Sequence, residues 1–297
     1  MKYMRSAISY FNMFIRMKLS VFLITGVIIS YAASAQKADP VSSIIEEGKL
    51  LYRLHMASWK GTELLLNYHR EQSANTGGYF SYEQNEHLHC VFFSKDETPK
   101  VITTFTFDTT FQYNTARKDI RVRDFTPAER TTYTIWKKAL EEVANDTTFF
   151  ALYRNTNLVL IPVSDQFRRK VYVITIPLIK GMVLFGNDYL LEFDQKDSLV
   201  NKRALHAGII PLDHGKDTDP DLIETFHLHP KETGKFITPT DICILMLNRD
   251  AARWKEHVVI SKSHASVWDY GTNSITVLTK EAWNRQNANK KLVSVKD

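Results

Sequence analysis

Residues 226–247 read FHLHPKETGKFITPTDICILML, and this stretch organises the rest of the chain. With Glu224 to His229 extended, residues two apart share a face, so His227 and His229 present their imidazoles on the same side. Thr238-Pro239-Thr240-Asp241 then opens an apolar run that reads as a helix, with Thr238 at the cap and Pro239 at the first helical position. That helix returns the Asp241 carboxylate towards the two rings. Two ring nitrogens and one carboxylate oxygen, with a fourth position left to water, make up the ligand set of a catalytic zinc. The same residues also have a plainer reading. Asp241 can reach back to the cap amide, where its charge favours the positive helix end, and the histidines can be solvated on a polar strand face.

Working outward, the clustering of helix and strand patterns predicts an α+β fold, a mixed or antiparallel sheet with flanking helices. It argues against a doubly wound parallel sheet. Apolar positions between Ser43 and Tyr68 are interrupted by Gly48 and Gly61, which predicts one or two helical pieces rather than one long helix. Tyr79 to Tyr82, Leu88 to Phe93 and Val101 to Phe107 read as a strand meander. Thr126-Pro127-Ala128-Glu129 is a helix start with a capping box, and that helix is expected to run to about Ala144. A strand-rich block follows, with Leu199 to Ile210 as its last strand. Asp213 to Asp221 reads as a polar loop. Beyond the histidine pair come the helix from Pro239, a strand at His257 to Ser261, a hairpin of Ala265–Tyr270 with Ser274–Thr279, and a polar, frayed tail from Asn284. The expected organisation is residues 1–35 as an export signal, 36–150 as an N-terminal α+β region and 151–297 as a C-terminal α+β region.

Export is expected from Leu19 to Ala33, an apolar run after Lys18, followed by Ala33-Ser34-Ala35, the small-x-small pattern of signal peptidase sites. Cleavage is expected after Ala35, giving a periplasmic or secreted protein that meets the membrane only through its signal peptide; Met1 to Arg16 reads as an upstream start. Four of the 38 Lys and Arg residues lie in that segment, leaving 34 basic against 33 acidic residues. No large basic field remains for nucleic acid or an anionic surface. Cys90 and Cys243 are too few for a disulfide scaffold.

The order His227, His229, Pro230, Thr238, Asp241 resembles the JAB1/MPN (JAMM) metalloprotease family over roughly Val171 to Tyr270. The resemblance implies that both histidines and the aspartate bind zinc, that a glutamate from an earlier strand activates water, and that the family's serine, here Thr238, helps hold the oxyanion. Glu192, on the preceding strand Tyr189 to Phe193, is the candidate base. Glu224 lies an odd number of residues from His227 and so faces the other way. Two positions depart from the family pattern: threonine replaces serine, and the gap from His229 to Thr238 is one residue longer. The function implied is hydrolysis of an amide or isopeptide bond in a peptide or cell-envelope substrate. The alternative is a metal-free cell-envelope binding or assembly protein.

Other groups carry less. His87 and His89 share a strand face, but no carboxylate follows at a helix entry. His206, Asp213 and His214 surround the loop before the histidine pair and have two readings, lining the same cleft or flanking a turn-rich polar loop at Asp213 to Asp221, of which the second is preferred. Ser164, Ser261 and Ser263 lack a glycine-flanked elbow, and there is no phosphate-cradling glycine loop. Trp136 reads as core, while Trp254, Trp268 and Trp283 include one expected surface contact.

Overall fold

Two residues at tight turns show how the N-terminal strands are joined. Asn85 and Glu86 both take positive φ, the conformation a two-residue hairpin needs, and they link β1 (Thr76–Gln84) to β2 (His87–Ser94). With β3 (Val101–Phe107) and the short β4 (Arg117–Asp119) these form the expected antiparallel meander. The computed structural model describes residues 39–213, 224–252 and 254–288. The expected signal segment and His214 lie outside these residues. No described helix is long and apolar enough to cross a membrane.

A second antiparallel sheet is ordered β5 (Thr156–Ser164), β6 (Arg169–Pro177), β8 (Tyr189–Phe193), β9 (Leu199–Ala204). Between β6 and β8 the chain makes β7 (Met182–Gly186), which pairs instead with β10 (Ile209–Asp213). The C-terminal sheet is β11 (Glu224–Leu228), β12 (Glu256–Ile260), β13 (His264–Asp269), β14 (Ser274–Thr279), antiparallel except for β11 against β12. A parallel pair needs a crossover, and the helix Pro239–Leu247 supplies it. The helices are α1 (Pro40–Tyr68), α2 (Pro127–Asn145), α3 (Pro239–Leu247) and α4 (Lys280–Gln286), with single turns at Arg70–Ser73 and Arg249–Ala252. This is the α+β class with a mixed sheet that the sequence pattern implies.

Three local expectations are corrected. The first helix is unbroken over 29 residues, because its glycines mark close approach rather than interruption. A Cβ at Gly48 would meet Ile242 at 2.6 Å, and one at Gly61 would meet Cys90. The run from Leu199 to Ile210 divides into β9 and β10, in different sheets, and His206 stands in the break. The tail from Asn284 stays helical to Gln286, anchored by buried Trp283.

From Val41 onward the described residues form one compact unit. Its main hydrophobic cluster joins Leu51 of α1, Phe105 of the meander, Phe185 of β7, Ile242 and Leu245 of α3, and Trp268 of β13. Each such side chain, buried to within 1 %, contributes roughly 1.5–3 kcal/mol relative to exposure. The cluster therefore fixes α3 firmly against the sheets, and with it the position of Asp241. Helix α2 covers a second cluster through Ile135 and Ala139 against Val171 and Leu191. Cys90 and Cys243 are separate, buried thiols, pushed up in pKa by burial. Trp254, Trp268 and Trp283 are all buried, so none is a surface contact.

Candidate metal centre

The parallel register of β11 on β12 sets Thr225 beside His257 and His227 beside Val259. Thr225 and His227 are two apart, so they share the face that looks onto β12's His257. His229 follows the strand end, held there by its own amide on the Ile260 carbonyl at 2.8 Å. Both histidines thus leave β11 at its C-terminal end, the end at which the crossover helix begins. In α3 the third residue is Asp241, and Thr238 caps the helix as the sequence requires.

The cap reading of Asp241 holds, and it leaves one oxygen free for a ligand role, because the two oxygens do different work. Oδ2 accepts from the Thr238 amide at 2.9 Å and from the Thr238 hydroxyl at 2.7 Å. Oδ1 is buried and has no hydrogen-bond donor. It lies 3.6 Å from His227 Nε2 and 3.7 Å from His206 Nε2, while His229 Nε2 is 3.2 Å from Oδ2. His229 Nε2 is also 2.9 Å from His206 Nε2 and 3.0 Å from His227 Nε2. The four ligand atoms of His206, His227, His229 and Asp241 lie within 4.8 Å of one another, and all four residues are buried. Ligands about 2.0–2.1 Å from a tetrahedral zinc stand about 3.3 Å apart, which is the scale of these separations.

The outer nitrogens explain why the inner ones converge. His206 Nδ1 is 2.6 Å from the Asp188 carboxylate, and His229 Nδ1 is 3.1 Å from the Phe236 carbonyl. Both partners are acceptors, so both Nδ1 atoms donate, and in the neutral form of each ring Nε2 keeps a lone pair. His227 Nδ1 is 2.8 Å from His257 Nε2, and His257 Nδ1 is 2.7 Å from Thr225 Oγ1. Assigned the same way, with His227 donating outward, the third Nε2 also points its lone pair inward. Three lone pairs and an undonated carboxylate oxygen then face one point. A cation at that point would satisfy all four at once.

Asp188 does more than orient His206. Its second oxygen accepts from Thr240, which is 2.9 Å from Thr238 Oγ1, and Thr238 in turn holds Asp241. Each hydroxyl has one proton and gives it to its own carboxylate, so the two threonines stand side by side behind the centre, one holding Asp188 and the other Asp241. His257 is fixed by stacking on Phe185, with ring centroids 4.7 Å apart.

The charges follow from this crowding. Burial works against charging His206, yet Asp188 and Asp241 beside it raise its pKa to about 9. Burial takes His227 well below the usual histidine range, Asp241 only partly countering it, and takes His257 down to about 3. Burial also opposes ionisation of Asp241, but the surrounding imidazoles outweigh it and hold the carboxyl well below its usual range.

Of the residues expected at the site, His227, His229 and Asp241 come together. Thr238 stands beside them with its hydroxyl engaged on Asp241. Glu192 does not join the cluster: it accepts a hydrogen bond from Asn201 and lines a groove of about 310 Å³ that Thr238 also lines. His206, for which the plainer loop reading is preferred over lining the cleft, belongs to the cluster, and Asp188 and His257 stand behind it. The side chain of Asp213 and all of His214 lie outside the description. His87 and His89 serve locally, His87 on the Asn85 carbonyl and His89 on Thr106. Compared with protein-family models, curated proteins and solved structures, the chain shows no significant match.

Proposed function

We propose that this chain is an exported zinc hydrolase of the JAMM-like kind, acting on an amide or isopeptide bond of a peptide or cell-envelope substrate. The observation that carries the reading is the undonated Oδ1 of Asp241, buried among imidazoles whose outer nitrogens are already committed. A buried carboxylate oxygen with no donor is costly unless a cation meets it. His227, His229 and Asp241 would hold the ion, and His206 is the fourth group within reach. Three imidazoles and a carboxylate suit zinc ahead of magnesium or calcium, which favour all-oxygen sites. Such an ion supplies Lewis-acid polarisation of the scissile carbonyl.

The placement of the ligands at a strand end and at the first turn of the following helix supports the JAMM resemblance. Glu192 and Thr238 line one groove, but Glu192 stands apart from the ligand cluster, so its role as base is carried by the resemblance alone and is what Glu192→Gln tests. Asp188 holds the Nδ1 proton of His206 and so keeps its Nε2 aimed at the centre.

A second reading has an observation of its own. Four protein groups close around one point, as in structural zinc sites, whereas catalytic sites keep a position open. On that reading the ion stabilises an envelope protein and no bond is cut. The deciding experiment loads the purified chain with zinc and follows both thermal stability and hydrolysis of a library of isopeptide- and peptide-linked fluorogenic substrates. Zinc-dependent cleavage lost in Glu192→Gln and Asp241→Asn supports the hydrolase. Zinc-dependent stability with no cleavage supports the closed structural centre.

A further inference from the structure

Helix α1 carries a second patterned face, away from its core side. His55, Ser58, Trp59 and Thr62 recur at i, i+3, i+4 and i+7, so they form one stripe. The stripe walls a cavity of about 400 Å³ at the junction of α1, the end of α3 and strands β1, β5, β6 and β7. Small-molecule sites occupy roughly 300–1,000 Å³ and combine an apolar lining with a few polar groups. Here Ile176, Leu184, Ile244 and Leu247 give the apolar part. Trp59 and Tyr79 stand at the wall, 49 % and 36 % exposed, each offering a ring to a ligand.

Two features say what the cavity accepts. In a chain that is 24 % charged, none of the thirteen lining residues is Lys, Arg, Asp or Glu. The nearest ammonium, Lys60 over the Trp59 ring, is already held by Glu63 and Tyr113, so a charged ligand would find no free counter-ion and the occupant is uncharged. The His55 imidazole lines the cavity and has no hydrogen-bond partner among the described residues. Burial lowers its pKa to about 4, so at neutral pH it is a neutral ring with one donor and one acceptor. Asn157, exposed on β5, brings an amide to the same cavity.

We propose that this cavity is a binding site, separate from the metal centre, for a small uncharged molecule with an aromatic body and a hydroxyl or amide head. The aromatic body lies between Trp59 and Tyr79, and the head meets His55. The apolar floor excludes water from the contact, which strengthens that hydrogen bond.

The test titrates the full chain with 1-naphthol, an uncharged ring with one hydroxyl, and with 1-naphthalenesulfonate, its charged counterpart. Saturable one-to-one binding of 1-naphthol is expected, with the sulfonate at least about 10-fold weaker. Trp59→Ala and His55→Leu should each weaken binding about 5- to 10-fold, the scale of one ring contact or one hydrogen bond. Asn157→Trp, at an exposed position, fills the mouth and should abolish it; thermal melts confirm that each variant is folded. Absence of saturable binding, equal binding of the sulfonate, or affinity untouched by the three substitutions overturns the proposal.

Discussion

The chain uses one helix-start motif twice, and the two copies end in different chemistry. Thr126-Pro127-Ala128-Glu129 opens α2 and Thr238-Pro239-Thr240-Asp241 opens α3, each with a complete capping box. At α2 the acid is fully occupied. Glu129 takes both guanidinium nitrogens of Arg123, at 2.6 and 2.8 Å, and also meets the Thr126 amide and Tyr82. At α3 no arginine arrives, the shorter side chain caps with Oδ2 alone, and the imidazoles of His206 and His227 stand nearest the remaining oxygen while His229 lies beside Oδ2. A cap motif therefore fixes where a carboxylate stands, and the neighbours decide whether it is a structural anion or a ligand.

The sharpest way to break the comparison is to remove one charge from each copy. Asp241→Asn keeps a cap acceptor but should lower zinc affinity by more than about 100-fold, beyond the 10- to 100-fold of losing an orienting partner. Glu129→Gln should leave zinc affinity unchanged; competition with a chelator reads both. Stability reverses the ranking. Glu129→Ala strips a fully buried acid from a partly exposed Arg123, and a loss of about 2–3 kcal/mol in denaturant unfolding is expected, below the range for wholly buried pairs. Removing the orienting groups should act at intermediate size. Asp188→Asn and His257→Phe are each expected to weaken zinc binding about 10- to 100-fold while leaving one ion per chain at saturation. Smallest is the cap itself: Thr126→Ala should cost about 1 kcal/mol in a thermal melt, with no change in metal content.

The pH dependence sharpens the contrast further. His206 is raised in the folded, metal-free protein, to about 9. Its contribution to stability is therefore complete below the unfolded value of about 6.5 and is lost as pH rises through about 9. Metal-free protein should lose melting temperature across that window, and His206→Gln should flatten the slope. Glu129 has the opposite sign. Against burial, Arg123 and the Thr126 amide hold it below the ordinary range. Its contribution is present above the ordinary glutamate value and falls away in acid.

Much of this was legible before folding, for local reasons. Both cap motifs, the meander, the paired phase of His227 and His229 and the α+β class follow from short-range periodicity and turn chemistry. What escaped is long-range. His206 stands alone in a break between strands of two sheets, and its partner Asp188 is 18 residues away. Its sequence neighbourhood is that of any turn. His257 lies in Glu256-His257-Val258-Val259-Ile260, where an inward histidine reads as core until the parallel register sets it beside Thr225, within hydrogen-bond reach of His227. Gly48 and Gly61 misled because propensity sees a weak helix former, whereas close contact with Ile242 and Cys90 decides the outcome. The resemblance to JAMM enzymes supplied three members of the cluster, and the fold supplied the fourth.

The central claim is that His206, His227, His229 and Asp241 hold one metal ion. Native mass spectrometry of the full chain after zinc loading and desalting tests it most directly. One zinc per chain in the wild type, one in Glu129→Gln and none in Asp241→Asn is the predicted result. A wild-type chain that retains no zinc, or an Asp241→Asn chain that retains as much as the wild type, would contradict it.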